Sequence, residues 1–212
     1  MKDFPFFATD YGVASITLKE IPYSSTAYIK IQDSLEPEKL LEECIGFCKM
    51  AGAEKIFASN HPILEKYPMH TTIVQMSRLR EGLIQPDAAL FPVTEQTIER
   101  WREIYNQKMA KVPNSSYMSM FDGKELLKKG SGYFVHKDGT LLGIGIASGE
   151  RIDAVASVQA GAGETVVLAL NCALSGERAI LDVASNNKKA ISLYERMGFV
   201  KNCEISRWFQ VL

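Results

Sequence analysis

The chain has 212 residues, enough for one large domain or for two small domains packed together. Apolar residues make up 46% and charged residues 23%, a composition that supports an ordinary hydrophobic core. Lysine and arginine number 24 against 25 aspartates and glutamates, which excludes a bulk attraction to nucleic acid or to an anionic membrane. Any anionic ligand must therefore be held by a local site.

Neither a signal peptide nor a membrane-spanning segment is predicted. Asp3 and Asp10 interrupt the N-terminal stretch, and the longest apolar run, Val166 to Leu170, is far too short to cross a bilayer. We therefore predict a cytoplasmic protein, monomeric or homodimeric, without nucleic-acid or membrane partners.

The cysteines show no spacing typical of a disulfide framework or a zinc finger. Cys44 and Cys48 lie four residues apart on one face of a predicted helix, and with His61 and His70 they could form a metal site. Burial as small apolar residues explains the pair more simply, so we predict no metal.

The first half of the chain alternates strand and helix signals. Residues 13–21 and 26–31 have the β-branched and aromatic content of strands, and a helix is predicted from Pro37 to Gly52. There follow a strand at 55–59, a short helix at 61–67, a strand at 71–79 and a connector at 81–93.

A second unit begins near Thr94, with helices at 98–109 and about 124–129. Strands at 132–136 and 140–147 flank an Asp-Gly pair, which is a strong hairpin signal. There follow a strand at 151–158, a helix ending before Gly176, a strand at 178–185, a helix capped by Asn186 or Asn187, and a strand at 205–211.

The two halves have a similar order of elements. Ala58-Ser59-Asn60 and Ala184-Ser185-Asn186 each follow an apolar strand and precede a short helix. This match indicates a degenerate internal repeat, with halves at residues 1–85 and 90–212.

The segment Gln159-Ala160-Gly161-Ala162-Gly163 joins a predicted strand to a predicted helix. The two glycines let the backbone approach a ligand closely, and the helix N-terminus offers free N–H groups and a positive dipole end to an anion. A chain without a basic surface could hold a pyrophosphate in this way. A tight turn that needs glycine for geometry alone is the other interpretation.

Residues 181–199, LDVASNNKKAISLYERMGF, resemble the GNAT superfamily of N-acetyltransferases, which has a strand ending in valine and then Asn-x-x-Ala-x-x-x-Tyr-x-x-x-Gly-Phe. The matching positions are Val183, Asn187, Ala190, Tyr194, Gly198 and Phe199. The resemblance extends from about Leu90 to Leu212. It implies a mixed α/β fold with a twisted, mostly antiparallel sheet flanked by helices, and here also a second GNAT-like half.

The resemblance further implies an enzyme that moves an acetyl group from acetyl-CoA to a primary amine by direct attack on the thioester. Tyr194 would protonate the departing thiolate. Lys188 and Lys189 could meet the 3′-phosphate of CoA, although solvated lysines explain them as well. The implied contacts to the pantetheine arm and pyrophosphate are Ala156, Ser157, Val158, Gly161, Ala162, Gly163, Glu164 and Asn187.

The loop departs from the family pattern (Arg/Gln)-x-x-Gly-x-(Gly/Ala). If Gly161 and Gly163 are its last two conserved positions, the leading residue is Val158; in the other register it is Ala160. Gln159 fits neither register. The first register is preferred because it turns the apolar residues of the next helix inward.

The general base is not identified, since Asp153 and Glu150 are explained equally well as a solvated strand end. The acceptor is also open, and small-molecule and peptide amines both remain candidates. Residues that by resemblance wall the acceptor side, and that could equally be packing, are Tyr105, Asn106, Tyr117 and Met118.

Two other functions remain as alternatives. A dinucleotide-binding site is suggested by Gly161 and Gly163 with Asp182 about 20 residues on, but Val166 stands where the third glycine belongs. A GNAT-shaped domain that binds CoA or a protein without turnover is the stronger alternative. The N-terminal half is expected to be non-catalytic, because Asp33 and Glu36 occupy the place of a phosphate loop.

Overall fold

A computed structural model describes residues 3–82 and 86–212. The chain forms two compact units, one of residues 1–73 with Glu204–Leu212 and the other of Val74–Cys203. The predicted connector at 81–93 includes residues 83–85, which lie outside the described residues. The functional division into residues 1–85 and 90–212 stays a prediction.

The N-terminal unit begins with a strand pair that the sequence analysis missed in part. The predicted strand at 13–21 ends at Thr17, because Pro22 suits the first turn of a short helix. The elements are β1 (Phe4–Thr9), β2 (Gly12–Thr17), α1 (Ile21–Ser24), β3 (Thr26–Ser34), α2 (Pro37–Met50), β4 (Lys55–Ser59), a 3₁₀ helix (Pro62–Lys66) and the first residues of β5 (Met69–Leu79).

The C-terminal unit follows the predicted order, with an additional strand inside the predicted connector. Its elements are the end of β5, β6 (Ala89–Pro92), α3 (Ile98–Met109), α4 (Met120–Lys129), β7 (Gly132–Lys137), β8 (Thr140–Ser148), β9 (Arg151–Ser157), α5 (Gly163–Asn171), β10 (Arg178–Ala184), α6 (Lys188–Arg196) and the start of β11 (Val200–Gln210).

The hairpin between β7 and β8 confirms the Asp-Gly prediction. Asp138 and Gly139 have φ values of 49° and 75°, and Lys137 pairs with Thr140 across the turn. Positive φ at both central residues is the requirement of a type I′ turn, whose twist matches that of the strands. The short sequence signal therefore sets the register of the pairs next to the turn, up to the irregularity between Val135 and His136.

Strand order is β1-β2-β3-β4-β11-β5 in the N-terminal unit and β5-β10-β9-β8-β7-β6 in the C-terminal unit. The pairs β3–β4 and β9–β10 are parallel. The pairs β1–β2, β2–β3, β4–β11, β6–β7, β7–β8 and β8–β9 are antiparallel. The predicted fold class, a mixed and mostly antiparallel sheet with flanking helices, is confirmed.

Both units repeat one order of elements, which supports the predicted repeat. An antiparallel strand pair is followed by a helix, a parallel strand and a short helix, first as β2-β3-α2-β4 with the 3₁₀ helix and then as β8-β9-α5-β10-α6. In the repeat, the acidic segment 33–36 of the first unit has the position that the glycine-rich loop has in the second.

Helices cover both faces of the sheet in the C-terminal unit. Along β7 the side chains alternate, so Phe134 packs with α3 and α4 while Val135 packs with α5 and α6. On β8 the face toward α5 carries glycines: a Cβ at Gly143 would lie 2.7 Å from Val166, and one at Gly145 would overlap Leu170. These glycines let α5, and the loop before it, lie close to the sheet.

The C-terminal strand completes the hydrophobic core of the N-terminal unit. Phe209 is 7% exposed in that core and pairs with Ala58 of β4. We expect Phe209→Ala to lower the free energy of unfolding by about 3–5 kcal/mol, because it leaves a cavity. Urea denaturation measures this loss, and Gln210→Ala, which removes an exposed side chain, is the control. A loss no larger than that of the control would contradict the assignment.

Candidate functional site

Strands β9 and β10 separate soon after they start. Their parallel ladder has the single registered pair Arg151 and Ile180, and the N–H of Ile180 donates to the carbonyl of Glu150 at 2.8 Å. Among the described residues, the rest of β9 pairs only with β8. An open slot, bounded by the later residues of β9 and β10, therefore lies in the sheet of the C-terminal unit.

The free edge of β9 offers hydrogen-bonding groups to this slot. The N–H of Val158 donates to Leu142 on β8 at 2.8 Å, and Ala156 pairs with Ile144. Because backbone groups alternate along a strand, the N–H and C=O of Ser157 point away from β8 and toward the slot. Of the three predicted pantetheine contacts, Ser157 has its backbone on the free edge, whereas the backbone of Ala156 and the N–H of Val158 face β8.

The loop after β9 leads directly into the N-terminus of α5. Gly161 has φ of 81°, and the first bond of the helix runs from Val166 N–H to the carbonyl of Ala162 at 2.9 Å. Ala162 is the N-cap and provides no side-chain acceptor. Within residues 3–82 and 86–212, no acceptor is found for the N–H groups of Ala160, Gly161, Gly163, Glu164 and Thr165. Such a group of amides is suited to an anion.

The first residue of α5 lies in a narrow space beside the slot. A Cβ at Gly163 would lie 3.0 Å from Cδ2 of Leu193 on α6 and 3.4 Å from Oγ of Ser157. Gly161 has open space where its Cβ would be, so its requirement for glycine comes from the backbone angle alone. The two glycines therefore have different roles.

The charged side chains closest to the loop in the sequence do not by themselves attract an anionic ligand. Glu164 is exposed in the first turn of α5, and residues 152–177 contain no lysine or arginine. Lys189 lies four residues before Leu193 and therefore on the α6 face that meets the start of α5, whereas Lys188 points elsewhere. Lys108 of α3 approaches from the other side, with Nζ 3.5 Å from the carbonyl oxygen of Val158.

Asn187 is the N-cap of α6, which decides between the two predicted capping residues. Its Oδ1 accepts a hydrogen bond from the N–H of Ala190 at 3.3 Å. The side-chain amide group has no partner among the described residues and remains able to donate. Capping thus fixes the orientation of a side chain predicted to meet the pantetheine arm.

Tyr194 is buried in the core between α6 and the sheet. It is 9% exposed, and its ring centroid lies 5.8 Å from that of Phe199. Burial raises the pKa of the Tyr194 phenol to about 12. In the described part of the chain the hydroxyl has no hydrogen-bond partner, and the oxygen is not sealed from solvent. A protonated phenol is thus available to a ligand.

The two candidate bases have other contacts. Arg151 binds Asp153 at 3.3 Å and Asp182 at 2.7 Å. Glu150 packs against Gly176, whose added Cβ would lie 2.6 Å from Oε1 of the glutamate. These contacts explain both carboxylates structurally, and they place Asp182 in an ion pair. The sheet order is also not that of a dinucleotide-binding fold, which needs a run of parallel strands.

Residues predicted on the acceptor side contribute largely to packing. Asn106 accepts from the N–H of Met118 at 2.8 Å and donates to its carbonyl at 3.1 Å, which fixes the α3–α4 loop. Tyr105 is 8% exposed and stacks on Trp101. Tyr117 is exposed. These contacts give no indication of the acceptor's chemistry.

The equivalent slot in the N-terminal unit is closed. Strands β3 and β4 keep five registered pairs, from Thr26 with Lys55 to Lys30 with Ser59. Beyond them, Nδ2 of Asn60 donates to the carbonyl of Ile31 at 2.7 Å. A chain cannot enter between strands that are hydrogen-bonded to each other along this length.

His61 and Ser34 add a further connection at the end of these strands, with Nε2 and Oγ 3.1 Å apart. Nδ1 of His61 accepts from the N–H of Ile63, so Nε2 carries the proton and donates to Ser34. The histidine in this tautomer cannot act as a base toward the serine. The pair is therefore a structural contact.

The cysteine pair of α2 is buried at 0% exposure, and burial raises the pKa of both thiols to about 12. Both thiols therefore stay protonated and pack as apolar groups. No three histidine, cysteine or acidic side chains of the described residues are arranged to share a metal ion. In the same residues, every helix is too short or too polar to span a membrane.

No family model and no curated protein matches this sequence. Solved structures do match its fold. A GCN5-related N-acetyltransferase from Sphaerobacter thermophilus is 11% identical with a TM-score of 0.57, covering 93% of this chain and 76% of that one. A conserved protein of unknown function from Staphylococcus epidermidis is 11% identical with a TM-score of 0.62, covering 96% and 92%.

A tandem GNAT protein from the clavulanic acid biosynthesis pathway is 10% identical with a TM-score of 0.55, covering 94% of this chain and 78% of that one. The chain described here therefore has the GNAT fold. Sequence reasoning missed Lys108 and the two glycines of β8. The alternation in Leu142-Gly143-Ile144-Gly145 was a readable signal of one close-packed face, whereas nothing in the sequence linked Lys108 to the loop.

Proposed function

We propose that this protein is an N-acetyltransferase that moves an acetyl group from acetyl-CoA to a primary amine by direct attack on the thioester. The observation that carries the proposal is the slot between β9 and β10, which ends at the unpartnered amides of the loop and of α5. An extended arm with a pyrophosphate at one end fits these groups in their order.

The donor would be held mainly by backbone groups. The free edge of β9 at Ser157 would pair with the amides of the pantetheine arm, and the amide group of Asn187 would reach the arm from the start of α6, just after β10. The N–H groups of Gly161, Gly163 and Glu164 would face the pyrophosphate, whereas the N–H of Ala162 donates to the carbonyl of Gln159 and Ala162 would contribute only to the shape of the loop. Lys189, on the adjacent face of α6, would meet the 3′-phosphate of CoA.

Tyr194 would act when the thiolate leaves. With a pKa of about 12 its phenol is fully protonated at neutral pH, and its hydroxyl is uncommitted to any described residue. It can therefore donate a hydrogen bond, and finally a proton, to sulfur as negative charge develops there. The incoming amine would lose its proton to water, since Asp153 and Glu150 have structural contacts.

A second candidate function is CoA binding without turnover. The exposed Glu164 beside the phosphate position and the ion pair that Asp153 makes with Arg151 favour it. One measurement distinguishes the two functions. Thiol release from acetyl-CoA over a panel of amines, amino acids and peptide N-termini occurs with an enzyme and is absent with a binding module.

We expect one CoA to bind per chain, because the slot of the N-terminal unit is closed by five ladder pairs and by Asn60. Isothermal titration with CoA measures the stoichiometry. A value near two would contradict the conclusion that the N-terminal slot is closed. Absence of binding would contradict the proposal that acetyl-CoA is the donor. Mass spectrometry of the purified protein provides an independent test for retained CoA.

A further inference from the structure

We infer that Lys108 is the cation that balances the donor pyrophosphate, in place of the polar residue that begins the loop in the family pattern. This inference rests on the proposed function, because it assigns a further binding residue to the same site. It is not part of the motif, since Lys108 lies fifty residues before the loop, on α3.

The position of Lys108 carries the argument. Its Nζ lies 3.5 Å from the carbonyl oxygen of Val158, the residue directly before the loop. Val158 also occupies the Arg/Gln position in the preferred register, so an apolar side chain stands where the pattern has a polar one. The lysine ammonium therefore lies at the backbone of the residue whose own side chain lacks the expected group.

The charge balance shows why such a cation is needed. The unpartnered amides carry only partial charges, Glu164 adds an exposed negative charge, and residues 152–177 contain no basic residue. The compact turn, in which Ala162 N–H donates to Gln159, keeps the loop amides near Val158. The Lys108 side chain is exposed and flexible, so its ammonium can move from the Val158 carbonyl to a phosphate oxygen.

A lysine in the last turn of a helix also has a structural explanation, because it interacts favourably with the C-terminal dipole. Lys111 provides a matched control for this effect. It is likewise exposed, lies just beyond the same end of α3 and carries the same charge, and in the described part of the chain it makes no hydrogen bond or ion pair with the loop. Any effect of net charge or of the helix dipole should appear when either lysine is replaced.

The test compares CoA with pantetheine, which lacks the phosphates, in titrations at two salt concentrations. We expect Lys108→Gln to raise the Kd for CoA about tenfold, with little change for pantetheine, because charge-assisted hydrogen bonds to phosphate are lost. The loss should shrink at high salt. Lys111→Gln should bind CoA as the native protein does, and Lys108→Arg should retain most of the affinity.

The contradicting outcomes are distinct. If the native protein binds CoA and Lys108→Gln binds it equally well, the inference is wrong and the proposed function stands. If Lys108→Gln loses as much affinity for pantetheine as for CoA, Lys108 only shapes the loop, and this result also overturns the inference. If the native protein binds neither molecule, the proposed function itself fails.

Discussion

Tyr194→Phe is expected to lower kcat about tenfold or more, with little change in the affinity for CoA. The substitution keeps the ring in its contact with Phe199 and removes only the hydroxyl. General acids typically contribute about 10²–10⁴-fold, and a group that acts mainly as the thiolate departs affects kcat more than binding. Steady-state kinetics with an active amine, together with a CoA titration, measure both quantities.

Tyr28→Phe is the matched control for this experiment. Burial raises the pKa of Tyr28 to about 12 as well, but Tyr28 belongs to the N-terminal unit, and the proposed chemistry belongs to the C-terminal unit. Its replacement should leave kcat unchanged. Equal kcat values in the native protein and Tyr194→Phe would show that the tyrosine is structural.

The pH dependence gives a second measure of the same residue. Because the pKa of Tyr194 is about 12, its ionisation should not reduce kcat between pH 7 and 10. An alkaline fall of kcat near pH 9 that disappears in Tyr194→Phe would contradict the burial of the phenol. A fall that persists in the variant belongs to another group.

Gly161→Val is expected to weaken CoA binding at least about a hundredfold while the unit stays folded. Gly161 has φ of 81°, which a β-branched residue adopts only with strain, so the loop must change shape and its N–H groups turn away. Calorimetry with CoA measures the affinity, and circular dichroism checks the fold. Gly163→Val should act similarly, because its side chain would press on Leu193 and Ser157.

Gly149→Val is the control that distinguishes damage to the CoA site from a general effect of backbone strain. Gly149 also has positive φ, at 57°, and also has open space around a Cβ, but it lies in the turn before β9, at the opposite end of that strand. The two variants should lose similar stability. If both bind CoA like the native protein, the glycines of the loop serve only the turn.

Local signals explain what the sequence predicted well. The Asp-Gly pair, Pro37 at the start of α2 and Asn187 at the start of α6 each act within a few residues of their own position. The hydrophobic stripe of α5 was also readable, although the helix ends at Asn171, before the predicted stop at Gly176. Errors arose where a short strand such as β1 or β6 depends on its pairing partner.

By itself the sequence determined the order of elements, the glycine-rich loop and the Asn187–Tyr194 helix, because turns, caps and helical periodicity depend on neighbouring residues. Only the tertiary structure decided that Glu204–Leu212 completes the core of the N-terminal unit, that β9 and β10 separate after one pair while β3 and β4 do not, and that Lys108 reaches Val158. These features depend on contacts between residues far apart in the chain, and no local pattern records which distant partner a strand edge or a charged side chain will meet.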